Sequence, residues 1–280
     1  MTVTKISAQQ VSELRARTGA GMMDCKRALE ESGGDMEKAI ELLRRKGQAK
    51  ADKRADRAAS EGTIAACIAP DGASAGLVEL NSETDFVALT SEFQALAKAL
   101  AREVAEDGAA RSQAQVKDLA GKTGENVAIG RTARVALDGG PGLIESYVHF
   151  NGQVGVLLAL AAPPAAVGGE ELKTLAKDLV LHIASARPIA VTTDQVPAEV
   201  IERERRIYQA QVAEEGKPEA VRPKIVEGKV RKFYEERVLL EQPFVKDDKT
   251  KVRDLLAQAG KRVGGEVAVR RFARFEVGAE

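Results

Sequence analysis

The chain has 280 residues with 42 basic and 42 acidic side chains, so its formal net charge is zero and a broad electrostatic footprint on nucleic acid is excluded. Only 4% of residues are aromatic and there is no Trp, which leaves few platforms for stacking unpaired bases. The length exceeds one small core and implies two or three units, with a protein as the natural partner.

Residues 7–47 read as three short helices. Ser7 caps a segment with Val11 and Leu14 on one face, and Gly19 and Gly21 end it. A second helix carries Met22, Met23, Ala28 and Leu29 as far as Gly33 and Gly34, and Asp35 caps a third with Met36, Ala39, Ile40 and Leu43 at helical spacing. Lys46 and Gly47 are expected to close it. A bundle of about forty residues is marginal alone and suits a docking module, in which the polarisable Met22 and Met23 are candidate partner contacts. Residues 48–60 are charged and Ala-rich, and acidic residues interrupt the basic ones, so they read as a solvated helical linker. Residues 1–55 thus form an N-terminal unit with its linker.

Residues 1–6 lack the apolar core of a signal peptide, and the apolar run at 157–167 is too short to span a bilayer. Cys25 and Cys67 stand in no Cys-x-x-Cys pair and have no His at metal-ligand spacing. A soluble, cytoplasmic protein with reduced thiols and neither metal nor cofactor is expected.

Two strands at 63–69 and 77–80 are joined through Pro70-Asp71-Gly72, followed by a helix at 91–106, a brief segment at 116–119 and a strand at 126–137. This pattern recurs. Residues 64–69 and Gly72 match 144–149 and Gly152 at an offset of 80, and Gly76-Leu77-Val78 matches Gly155-Val156-Leu157 after a one-residue slip. Phe93, Leu96, Ala97 and Leu100 then align with Leu172, Leu175, Ala176 and Leu179. Val127, Ala128, Arg131, Ala133 and Arg134 are identical to Val267, Ala268, Arg271, Ala273 and Arg274 at an offset of 140, and Val116-Lys117-Asp118-Leu119 resembles Val252-Arg253-Asp254-Leu255. The expected fold is α+β: a duplicated β-β-α-β unit, each copy a small antiparallel sheet with a packed helix. The copies occupy residues 56–140 and 141–280, with Gly139-Gly140-Pro141-Gly142 as the hinge. The second copy gains an antiparallel helical hairpin at about 196–240, a coiled coil whose second arm starts near Pro223.

Thr84-Asp85-Phe86-Val87 follows the second strand, where a large apolar ring has no local reason to be. At the matching place the second copy carries Pro163-Pro164-Ala165-Ala166, so the fold does not require those four residues. Phe86 is therefore a candidate anchor for another molecule, against the competing role of a staple between loop and helix. No phosphate-binding loop of the Gly-x-x-x-x-Gly-Lys type exists, and His149 and His182 have no companions for a triad, so enzymatic chemistry is not expected. His182 reads as a solvated helix position. His149, just before Phe150-Asn151-Gly152, is open between partner contact and ordinary packing.

The runs Thr18-Gly19-Ala20-Gly21-Met22-Met23-Asp24-Cys25-Lys26, Glu83-Thr84-Asp85-Phe86-Val87 and Gln242-Pro243-Phe244-Val245 closely resemble bacterial elongation factor Ts, and the similarity runs over essentially the whole chain. Pro223 departs from the family pattern and bears on the length of the coiled coil. The resemblance implies an N-terminal ubiquitin-associated-like (UBA-like) domain, a duplicated core and an inserted coiled coil; the hairpin as read from its residues could bind a partner, pair with a second copy of the chain or simply protrude. It implies guanine nucleotide exchange on elongation factor Tu, with Thr84, Asp85, Phe86 and Val87 as the element that disturbs the magnesium site of the GTPase. The alternative is an adaptor whose helical module docks one protein and whose core docks another.

Overall fold

The structure is a computed structural model that describes residues 6–279, so most of the N-terminal stretch read for a signal peptide lies outside the described residues. Helices α1 (Ala8–Thr18), α2 (Met22–Glu31) and α3 (Met36–Asp52) form an N-terminal bundle. The first repeat follows as β1 (Glu61–Ile68), β2 (Ser74–Ser82), α4 (Asp85–Ala88), α5 (Ser91–Asp107), α6 (Gln113–Thr123) and β3 (Val127–Ala136). The second repeat is β4 (Gly142–Val148), β5 (Val154–Ala161), α7 (Glu170–Ala186), the hairpin α8 (Ala198–Glu214) and α9 (Arg222–Arg237), the short strands β6 (Pro243–Phe244) and β7 (Asp247–Lys251), α10 (Val252–Val263) and β8 (Ala268–Glu276). This is α+β architecture.

Local chemistry places the helix ends. Ser7 and Gln10 form a capping box, the Asp35 carboxylate accepts from Lys38 N, and the Thr90 hydroxyl accepts from Phe93 N. Gly19, Gly108, Gly124 and Gly264 end α1, α5, α6 and α10 in the left-handed region that a Cβ disfavours.

The two sheets, ordered β1-β2-β3 and β4-β5-β8, are antiparallel. They pack face to face through Ile64, Leu77, Val135, Ile144 and Leu157. On its outer face the first sheet carries α5, with Val78 and Leu80 against Phe93 and Leu100. The second carries α7, with Leu158 and Leu160 against Leu172 and Leu179. The central strands β2 and β5 are thus buried on both faces, so they lack the polar alternation that would reveal register.

That ambiguity misled the sequence alignment. Leu77 faces Ala133 and Leu157 faces Ala273, both in the inter-sheet core, so the strands match at an offset of 80 throughout. The one-residue slip inferred at Gly76 would turn every side chain to the opposite face. The helices do match at 79, since Phe93 and Leu172 are both buried, so the extra residue of the first repeat lies between Leu80 and Phe93. The 116–119 segment is also longer than expected. It belongs to the eleven-residue α6, whose buried Val116, Leu119 and Ala120 correspond to Leu256, Ala259 and Gly260 of α10 at an offset of 140, one turn away from the match by identity.

Gly47 does not end α3. A Cβ on Gly121 would lie 3.0 Å from the Gly47 backbone, so the two glycines permit a close crossing of α3 over α6. Residues 48–52 are therefore not a solvated linker. Ala51 is buried against the first repeat, Arg44 pairs with Asp118 at 2.8 Å, Gln48 donates to Asp118 at 2.7 Å, and Lys117 pairs with Asp52 at 2.8 Å.

The two arms of the hairpin pack through the buried Val212, Val226 and Val230, with Tyr208 and Tyr234 alongside. Pro223 sits in the first turn of α9, where its missing N–H has no helical partner to lose. The base of the hairpin belongs to the core: Val238 packs on Ala190 and Val196, and Leu239 is buried with Val252 and Leu256. Replacing residues 202–232 by a short Gly-Ser link should therefore leave thermal unfolding cooperative. Replacing 196–240 removes Leu239 and should cost about 2–5 kcal/mol, which denaturant titration of the two deletions would separate.

Candidate functional site

The Thr84–Val87 stretch is not an open loop. Thr84 is the N-cap of the four-residue helix α4, and its hydroxyl accepts from Val87 N at 3.5 Å. Glu125, two residues past the end of α6, accepts from Thr84 N at 3.0 Å and from the Thr84 hydroxyl at 2.7 Å. Val87 and Ala88 pack into the first repeat's core, while Asp85 stays exposed in the first turn.

Phe86 is 80% exposed, which argues against a staple, since a staple would be buried. Leu89 is 70% exposed and three residues on, the spacing that puts two side chains on one side of a helical turn. Across a groove of about 490 Å³, lined by Leu89, Gln94 and Lys98 on one side and His149 and Asn151 on the other, stands Phe150, 91% exposed. His149 is half-buried; its Nδ1 is 2.6 Å from the Tyr147 hydroxyl and its ring is 4.5 Å from that of Phe150. It thus supports an exposed aromatic as well as lining the groove. Leu89 and Phe150 were not singled out from the sequence. Leu89 had a signal, its helical spacing from Phe86, but that spacing counts only once α4 is known to be helical.

Met22 and Met23 are 52% and 63% exposed on α2. The structure places them on a different element from Phe86, joined to it through the α3–α6 crossing and Glu125.

His182 is not a solvated position. It is fully buried, 2.9 Å from Gln242 Oε1, and Val245 N donates to its Nδ1 at 3.3 Å. Burial holds its pKa below the usual histidine value, partly opposed by the bond to Gln242. The first-repeat counterpart, Glu103, accepts from the backbone of Arg111 and Ser112 before α6. Both residues tie down the segment leading to the next helix, and the exposure inferred for His182 failed because the β6–β7 insertion covers it. Among the described residues no group of His, Cys, Asp and Glu is placed to hold a metal ion, and no helix is long and apolar enough to cross a membrane.

Comparison of the sequence with known proteins points to one family. A family model described as Elongation factor TS matches residues 83–279. The Elongation factor Ts of Nitratidesulfovibrio vulgaris (strain DP4) is 47% identical over 276 residues, 98% of this chain and 96% of that protein. That of Prosthecochloris aestuarii is 42% identical, covering 99% of this chain and 100% of that protein, and that of Aquifex aeolicus is 42% identical, covering 98% of each. With similarity of this extent laid over a duplicated core and an inserted hairpin, the chain belongs to the elongation factor Ts family.

Proposed function

We propose that this chain releases guanine nucleotide from elongation factor Tu by presenting Thr84, Asp85, Phe86 and Val87 to the magnesium and phosphate region of that GTPase. The observation that carries the reading is Phe86 held out at 80% exposure on a turn tied to Glu125, where the second repeat has a Pro-Ala turn. A bound nucleotide depends on backbone N–H groups and on a Mg²⁺ ion that tolerates only near-octahedral coordination, so a small displacement of that shell loosens it. No covalent step is required, and the protein acts as an exchange factor rather than an enzyme.

Met22, Met23 and His149 are further partner contacts in this reading. Residues 1–55 serve as a UBA-like docking unit, 56–140 carry the exchange element, and 141–280 supply the second repeat. The hairpin is an antiparallel coiled coil that also offers a surface for self-association. The partner is a cytoplasmic protein, met without direct contact to nucleic acid or membrane. Release of a fluorescent GDP from elongation factor Tu, followed by stopped flow, should accelerate when this protein is added. An adaptor would bind and leave the rate unchanged.

A further inference from the structure

We propose that Glu125 is the positioning residue of the exchange turn, its carboxylate fixing the direction in which Phe86 is presented. The inference rests on the reading of Thr84–Val87 as the exchange element. A four-residue helix is too short to sustain itself, because the first turn fixes several dihedrals for a single hydrogen bond. Phe86, being exposed, contributes no packing to hold it. The C-terminal end is anchored by Val87 and Ala88 in the core, so the orientation of the turn depends on its N-terminal end, Thr84.

Glu125 determines the state of that end. An ionised carboxylate only accepts, so the Thr84 hydroxyl must donate to it, which leaves the hydroxyl lone pairs for Val87 N. The same carboxylate takes the Thr84 N–H, and Ser82 Oγ donates to the Thr84 carbonyl at 2.9 Å. The clasp is reciprocal. Glu83, beside Thr84, accepts from Asn126 N at 2.7 Å, and the Asn126 amide donates to the carbonyls of Ala55 and Arg57. Bonds to a charged acceptor are about twice as strong as neutral ones. The turn is thereby referenced to the end of α6, and through α6 to the N-terminal bundle.

The second repeat provides an internal comparison. Thr84 corresponds to Pro163 at the helix offset, and Glu125 corresponds to Gly265 at the strand offset. There the two positions meet without hydrogen bonding: a Cβ on Gly265 would lie 2.5 Å from Pro163 Cγ. Both members of the pair differ together. The clasp therefore accompanies the exposed Phe and is not required by the repeat fold.

The test uses the full chain. Because the protein has no Trp, Phe86→Trp provides a single indole whose time-resolved anisotropy reports the mobility of the turn without the partner. Adding Glu125→Ala should lower the residual anisotropy, and Glu125→Gln, which keeps an acceptor, should recover part of it. With Phe86 retained, Glu125→Ala should slow GDP release at saturation by about tenfold, equal to 1.4 kcal/mol, with the half-saturating concentration unchanged. Unchanged anisotropy overturns the proposal, as does a parallel loss of rate, affinity and melting temperature, which would mark a merely structural residue. If Phe86→Ala itself leaves release unchanged, the exchange reading fails instead, while the anisotropy still decides whether Glu125 positions the turn.

Discussion

Phe86→Ala is expected to slow GDP release from elongation factor Tu by about ten- to a hundredfold at saturation while barely changing affinity for the nucleotide-free GTPase. Each tenfold change in rate corresponds to about 1.4 kcal/mol of barrier, and burying one Phe side chain offers roughly 1.5–3 kcal/mol. The effect should appear in the rate because an interaction that favours the opened state over the loaded one acts differentially, whereas an ordinary contact would weaken both complexes equally. Melting temperature should stay constant, since Phe86 is exposed and supports no core. Asp85→Ala should shift the rate in the same direction by less, because Asp85 is exposed and, if the proposed site holds, its carboxylate acts on the metal shell through charge and hydration. Pro164→Ala and Ala165→Gly, at exposed positions of the matching turn, are the controls and should leave release unchanged. Equal losses at both turns would deny Phe86 a special role.

Gly121→Leu is expected to act on the other quantity, weakening association by about tenfold while preserving the release rate at saturation. A Cβ at this position already sits 3.0 Å from the Gly47 backbone, so a leucine must push α3 away from α6. Overpacking costs about 1–3 kcal/mol, and the exposed pairs Arg44–Asp118 and Lys117–Asp52 return roughly 0–1 kcal/mol each. The bundle then becomes a tethered module in place of a rigidly mounted one, and if it docks on the partner as proposed, binding through two patches loses effective concentration. Hydrogen exchange in α3 and titration of the release rate against protein concentration would test this together. Free exchange in α3 with an unchanged half-saturating concentration would show that rigid mounting does not matter to binding. Opposite signatures for Phe86 and Gly121 would separate the element that acts from the element that holds.

The sequence by itself determined what is local. Ser7 and Asp35 cap helices because a short oxygen side chain reaches an N–H two or three residues away, and their positions were legible because an apolar periodic stretch followed. The duplication was legible because matched strands and helices need the same apolar faces, and the exposed Phe was legible because its counterpart repeat lacks it. Tertiary structure alone decided what depends on residues far apart in the chain. Strands β2 and β5 are apolar on both sides, so only their neighbours Ala133 and Ala273 reveal that no residue slips within them. Gly47 looks like a helix terminator until Gly121, remote in sequence, crosses it. His182 carries no local mark of burial, because its cover comes from Gln242 and Val245 in an insertion. Glu125 is one acidic residue among many until the fold brings it to Thr84, forty-one positions earlier. Caps and periodicity are set by short-range sterics and hydrogen bonds, whereas register, close crossings and buried polar partners are set by which surfaces meet.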